Sequence, residues 1–177
     1  IQPTVKATSD RVLYRECLPT RSLQSTIYCY WELKTTSPLQ EAFQYRVVAD
    51  GCIDIFFEVQ QPDLIFAMGF CKKYTQFPLD CHFHYVGIRF FPTMFPQLFK
   101  IPAHELSNRS VPLQTLSPMT NAFIQESLQF QSDFSTIVAR LNTYFATLQA
   151  QQTFDEDGRL YEAINLILKN FGVLNVQ

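Results

Sequence analysis

Glycine is scarce in this chain, with 5 among 177 residues. That scarcity argues against nucleotide-binding folds whose phosphate loops are built on glycine-rich turns. Positive charge is short as well: 14 Lys and Arg stand against 16 Asp and Glu, for a formal net charge of −2 and a pI near 5.9. No basic run exceeds the pair Lys72-Lys73. Neutralising phosphates needs clustered Lys and Arg, so a chain with this balance does not grip nucleic acid unaided. The five cysteines (Cys17, Cys29, Cys52, Cys71, Cys81) are odd in number and no two are spaced as CxxC. They read as small reduced residues of the interior in a cytoplasmic protein. No basic-then-apolar leader opens the sequence, and no run of about 18 apolar residues could span a bilayer. A GxSxG elbow is missing too, and Cys81 and His82, adjacent on a strand, would face opposite ways and cannot pair as nucleophile and base. The expectation is a protein that is not an enzyme, with no catalytic residue, no cofactor and no membrane partner.

What is present is core-forming. Apolar residues make up 47% and aromatics 15%, with 17 phenylalanines, enough for one ordinary domain or one domain with an appendage. Residues 1–116 read as strands and loops. In "TIYCYWEL" the alternation sets Ile27, Cys29, Trp31 and Leu33 against Tyr28, Tyr30 and Glu32. In "CIDIFFEV" it sets Ile53, Ile55, Phe57 and Val59 against Cys52, Asp54, Phe56 and Glu58. Asp50-Gly51 is a turn signal, which makes "YRVVA" the first strand of a hairpin. "DLIFAMGF" fits a strand covered on both sides. "HFHYVGIRFF" is a long strand closed by Pro92, with Gly87 marking a bulge or a close backbone approach.

After "LSP" the period changes. Ser117 and Pro118 open a helix bearing Met119, Ala122, Phe123 and Leu128. Asp133 caps a second, whose stripe is Phe134, Ile137, Val138, Leu141, Tyr144, Phe145 and Leu148. After the polar break "QAQQTFDEDG" comes a third, with Leu160, Ala163, Ile164, Ile167, Leu168 and Phe171 in line and Gly172 placed to end it. The fold class expected is α+β: an N-terminal antiparallel strand-rich sheet or cupin-like barrel, then about three helices. The divisions are 1–116 for a ligand-sensing domain, 117–154 for a helical dimerisation or packing segment, and 155–177 for a linker and the first helix of a further domain.

Several constellations bear on function. His82 and His84, two apart on a predicted strand, point the same way, as a cupin barrel presents two imidazoles to one metal. The following "YVGIRFFPTMF" adds no third ligand-type side chain, so the pair reads as pocket or surface histidines and no metal is expected. Asp54 and Glu58 share a strand face about 13 Å apart, too far for a glycosidase pair; each is expected to meet solvent or a cation, with Arg46 and Arg89 at hand. Asp54, between isoleucines, would need a partner if buried. Tyr28, Tyr30, Trp31, Phe56, Tyr85 and Phe90 either line a cavity for an apolar or aromatic ligand or are plain core. The stripe of the Asp133 helix either packs wholly on the sheet or turns part of itself to a second copy.

"RVVADGCIDIFFEV", then "MGF", then "YVGIRFFPTMFPQLFKIPAHELSNRSVPLQTL" resemble, in order, the effector domain of one branch of AraC-type bacterial transcriptional regulators. An upstream tryptophan, matched by Trp31, belongs to that pattern. Ala49 stands where the family often has proline, and Thr93 where it often has glycine. "RLYEAINLILKNFGVLNVQ" resembles the opening of the family's DNA-binding domain, with Leu174 and Val176 in its aliphatic places. The resemblance implies a signal-receiving and dimerising portion, cut at the start of a helix-turn-helix domain, whose DNA-reading helices lie beyond Gln177. It also implies a homodimer and a small-molecule effector. From side-chain chemistry and strand position, the ligand-binding candidates are Trp31, Arg46, Asp54, His82, His84 and Arg89. The dimerisation candidates are Ile137, Leu141, Tyr144 and Leu148. The alternatives are a cupin-type metal-dependent enzyme using the two histidines, or a protein-interaction module without a small ligand.

Overall fold

The computed structural model describes residues 11–47, 50–61, 63–130, 133–154 and 158–169. Among these residues there are eight strands: β1 (Val12–Cys17), β2 (Ile27–Thr35), β3 (Phe43–Val47), β4 (Ile53–Glu58), β5 (Ile65–Met68), β6 (Thr75–Leu79), β7 (His84–Phe90) and β8 (Ser110–Pro112). Six form an antiparallel sheet in the order β1-β2-β7-β4-β5-β8, while β3 and β6 pair with each other as a separate ribbon. The helices are α1 (Met94–Phe99), α2 (Leu113–Leu116), α3 (Pro118–Ser127), α4 (Phe134–Ala150) and α5 (Gly158–Lys169). This is the expected α+β architecture, a strand-rich antiparallel sheet followed by C-terminal helices. Among the described residues no helix is long and apolar enough to cross a membrane.

Two cores sit on opposite faces of the large sheet, because strand alternation sends successive side chains to opposite sides. On one face Tyr30, Ile53, Ile55, Phe57, Val86, Ile88 and Phe90 pack with Ile124 of α3 and Phe134, Ile137, Leu141, Phe145 and Leu148 of α4. On the other, Cys29, Trp31, Leu33 and Met68 pack with Tyr45 and Val47 of the ribbon. The expected alternation of β4 holds throughout. That of β2 breaks at its start: Ile27 pairs with Phe90 and Cys29 with Arg89, so Tyr28 is an extra residue in the ladder. The bulge turns Ile27 to the helix side, away from Cys29, Trp31 and Leu33.

The expected hairpin between "YRVVA" and β4 does not form; β3 pairs with β6 instead. The Asp50 carboxylate accepts a hydrogen bond from the Cys52 amide at 2.9 Å, so Asp50-Gly51 does turn the chain. The turn carries it from the ribbon to the sheet rather than back along the same ladder. Val48 and Ala49 lie outside the described residues, as do Phe171, Gly172 and the tail Val173–Gln177 read above as a helix stop and aliphatic tag. Gly87 is a close approach: it is the register partner of Trp31, and a Cβ there would overlap the indole ring.

The caps fall where expected: Ser117 accepts from the Thr120 amide and Asp133 from that of Thr136. On α3 the buried residues are Thr120, Asn121 and Ile124, and Met119 is exposed. On α4 the whole predicted stripe is buried except Tyr144, which is half-buried, stacks on Phe123 and shares a hydrogen bond with Thr120. Ile137, Leu141 and Leu148 therefore pack on the protein's own sheet, while Tyr144 stays half-buried. Polar residues fix the helix in place, with Asn142 accepting from the Tyr30 hydroxyl and the Thr20 amide and Gln149 bonding Thr26 and the Ser22 carbonyl. On α5, Ala163, Leu166 and Ile167 are exposed and Ile164 is half-buried.

Within the stretch read as strands and loops, α1 and α2 are helical. α1 tolerates Pro96 because its third residue has no intrahelical amide bond to lose. Its N-cap, Thr93, adopts φ 73° and has a buried hydroxyl with no partner among the described residues. A β-branched residue is strained in that region, where glycine is not. Thr93→Gly should therefore stabilise the fold by about 1 kcal/mol; a raised urea midpoint at unchanged m-value is the expected result.

Candidate functional site

The ribbon lies over the six-stranded sheet and leaves a partly open cavity of about 260 Å³ between them. Its floor is Trp31 and Leu33 of β2, Asp54 and Phe56 of β4, Phe66 and Met68 of β5, and Tyr85 of β7. Its cover is Tyr45 and Val47 of β3 with Phe77, Pro78 and Leu79 of β6, and Ser110 closes one side. Six of these thirteen are aromatic, and Asp54 alone carries charge, so the cavity is an apolar pocket with few polar groups, the usual form of a small-molecule site.

Asp54 is held from behind the cavity wall. Arg89 is its register partner on β7, and the guanidinium donates from Nε to Oδ1 at 2.9 Å and from a terminal nitrogen to Oδ2 at 2.7 Å. Both side chains are buried, and Asp50 adds a second carboxylate 3.9 Å from Arg89. Burial pushes the Asp54 carboxyl up by more than Arg89 pulls it down, while the bidentate geometry is that of a carboxylate facing a guanidinium. Burial alone would lower Arg89, but the Asp54 charge outweighs it and holds the guanidinium well above its ordinary value. The Trp31 indole N–H is close enough to Asp54 to favour the charged form, yet its nitrogen is buried and outside hydrogen-bonding geometry with any described group. The Tyr45 and Tyr85 hydroxyls have no hydrogen-bond partner among the described residues. Burial first, then neighbouring carboxylates, push both phenols up, Tyr85 to about 12.

A second polar cluster lies on the opposite face of the sheet. The Glu32 carboxylate is buried and meets Arg15 Nε at 2.6 Å, His84 Nε2 at 2.8 Å and Lys34 Nζ at 3.2 Å. Arg15 also lies over the Phe134 ring, 4.8 Å from its centroid, joining the cluster to the start of α4. Burial raises the Glu32 carboxyl, but the hydrogen bonds from His84, Arg15 and Lys34 outweigh it and bring it down to about 2.

Of the six candidates for ligand contact, Trp31 and Asp54 line the cavity and Arg89 stands behind Asp54. Arg46 does not: alternation along β3 turns Tyr45 and Val47 inward and leaves Arg46 exposed on the outer face. His82 and His84 do not act together. β7 starts at His84, leaving His82 exposed in the preceding turn, while His84 is buried against Glu32. Among the described residues no group of three or more His, Cys, Asp or Glu is placed to hold a metal ion. Glu58 is buried and, among the described residues, meets no cation; it accepts from the main-chain amides of His84 and Gln60 at 2.9 and 3.1 Å. Of the aromatic set, Trp31, Phe56 and Tyr85 reach the cavity, whereas Tyr30 and Phe90 are core on the helix side and Tyr28 packs edge-on to Phe91. All five cysteines are free, and burial raises Cys29 and Cys52 to about 12, which keeps both as thiols.

The geometry defines an α+β domain with an aromatic cavity between two antiparallel layers. Residues 15–112 match the model of a family described as a domain of unknown function, DUF6597. The match covers more than half of the chain, and the chain belongs to that family. It runs from within β1 to the last residue of β8, taking in the cavity and stopping before α3 and α4. No curated protein and no solved structure matches the chain.

Two outcomes test the polar clusters. Arg89→Met leaves a buried carboxylate unpaired and should cost about 3–5 kcal/mol, most of it recovered by adding Asp54→Leu; chemical denaturation of both variants checks this. Glu32 titrates lower in the folded than in the unfolded chain, so its stabilisation is complete above pH about 4.5 and is lost as pH falls toward 2. With Arg15 half exposed, the loss should be on the order of 2 kcal/mol rather than the full value of the shift. Acid unfolding of Glu32→Gln should lack that part of the pH dependence.

Proposed function

We propose that this chain is the signal-receiving portion of an AraC-type transcriptional regulator, binding a small molecule in the cavity between ribbon and sheet. One observation carries the reading: the stretches that resemble the AraC-type effector domain, with Trp31, supply most of the cavity's floor (Trp31, Asp54, Phe56, Met68 and Tyr85) and Val47 of its cover. "RVVADGCIDIFFEV" gives the end of β3 and all of β4, "MGF" begins at the end of β5, and "YVGIRFF" is most of β7. The left-handed backbone at Thr93, where that family often has glycine, is a second point in its favour.

In this reading the chain's shortage of basic residues is functional. DNA contact belongs to helix-turn-helix units encoded after Gln177, and the cavity acts on them through a preference for one arrangement of the two parts. Ligand occupancy contributes nothing to control unless it differs between those arrangements. Pairing of two copies, which the resemblance also implies, would use a surface other than the inner stripe of α4. The cytoplasm is the compartment such a regulator occupies, and the free cysteines are consistent with it.

The reading is tested on the gene and then on the full-length protein. Two tandem helix-turn-helix patterns with Arg-rich helices are expected within about eighty codons after Gln177. The full-length protein should retain a fragment of its own upstream DNA in a gel-shift assay, with affinity falling steeply as salt rises. A stop codon directly after Gln177, or no retention at low salt, removes the regulator reading.

A further inference from the structure

The cavity's shape and charge restrict what it takes. Trp31, Tyr45, Phe56, Phe66, Phe77 and Tyr85 all contribute to its walls, and Asp54 is its charged residue. The faces of aromatic rings carry negative potential and attract cations, most strongly where water is excluded. The field from the surrounding side chains has the same sign. At the Tyr45 hydroxyl, Asp54, Glu16 and Asp50 act against Arg89, and Glu58 and Asp80 act at Tyr85. Lys34 and Arg15 are engaged by Glu32 on the opposite face. Arg46 is on the ribbon's outer side. A carboxylate or phosphate entering here would meet the Asp54 carboxylate and ring faces, with the Arg89 guanidinium already engaged in both directions by Asp54.

We propose that the cavity binds a small organic ammonium ion, its charge directed toward Asp54 and its apolar body held among the aromatic walls, and that it rejects anions of the same shape. The proposal rests on the cavity being the receiving site of the chain. Its size sets the scale of the ligand. A dry apolar cavity of about 150 Å³ accommodates benzene, so a cavity of about 260 Å³ corresponds to about ten non-hydrogen atoms. Tyr45 and Tyr85, whose hydroxyls are unpartnered among the described residues, supply further oxygen acceptors for an ammonium N–H. Both phenols are held neutral by burial and by the carboxylates near them.

Trp31 is the chain's single tryptophan and lines the cavity, so its emission reports occupancy directly. Three probes of matched shape separate the charge types: 2-phenylethylammonium, 2-phenylethanol and phenylacetate, each titrated at neutral pH into the chain of residues 1–177, where Trp31 is the single tryptophan. The ammonium should give a saturable change in Trp31 emission at least tenfold tighter than the alcohol, and phenylacetate should give none. Tyr85→Leu, which removes a half-buried wall and no charge, should weaken the ammonium at least threefold with an unchanged far-UV circular dichroism spectrum. Equal or tighter binding of the alcohol or of phenylacetate overturns the proposal, as does silence of all three probes or an unchanged ammonium affinity in Tyr85→Leu. Tightest binding of the alcohol or phenylacetate would leave the receiving site in place and remove only the cation. A gene without a DNA-binding unit would remove the regulator reading and leave the charge preference to be decided by this titration.

Discussion

Arg89 is a permanently charged group on β7, an interior strand of the six-stranded sheet, where its side chain is almost wholly removed from water. The cost of that placement is met by Asp54 directly across the ladder, and the register that joins β4 to β7 is also what holds the ion pair in bidentate geometry. The constraint works in both directions. A shift of one residue between these strands would leave two charges buried without partners and turn Ile53, Ile55 and Phe57 out of the helix-side core. One pleat further along, Gly87 leaves the gap into which Trp31 lies. Ion pair and indole together make a rigid floor, so the cavity exists because the middle of the sheet cannot slip.

The reverse face of the same strands is organised by a different polar group. Glu32 gathers Arg15, Lys34 and His84 from β1, β2 and β7, and Arg15 carries the connection to Phe134 at the start of α4. Asn142 and Gln149 secure the rest of that helix to the segment before β2 and to β2 itself. The sheet is thus registered by one carboxylate on each side, and the two do different work: Asp54 borders a cavity, while Glu32 fastens the helical layer.

Much of this was legible in the residues. Alternation along "CIDIFFEV" gives the correct two faces, the stripe and cap of α4 are plain from spacing, and Gly87 marks a bulge or a close approach, of which the structure shows the approach of Trp31. Asp54 was flagged because an acid among isoleucines needs a cation. What the residues did not disclose has physical causes. A bulge adds one residue without leaving a mark in composition, so Ile27 was assigned to the wrong face. Pairing between distant segments is not encoded in local turn chemistry, and Asp50-Gly51 signals a turn equally well within a ladder or between layers. Arg46 carries a charge suited to a ligand but not the position for it, since the inward places of "YRV" belong to Tyr45 and Val47. His82 and His84 depended on where a strand begins, which periodicity leaves uncertain by a few residues. α1 was hidden by Pro96, which marks the end of a helix anywhere but in its first turn.

The ribbon of β3 and β6 has its own ladder, separate from that of the sheet beneath it. At one end it grows out of β2 and β7, where Leu39 and Cys81 continue the main-chain pairing toward the fold-over. Across the cavity itself, ribbon and floor meet through side chains. The spacing of the two layers is therefore set by the girth of residues such as Val47, Phe77 and Leu79, not by hydrogen-bond length. Exchanging those residues would re-gauge the chamber's capacity while every backbone bond of the floor stayed intact, which leaves selectivity and foldability under the control of different parts of the chain.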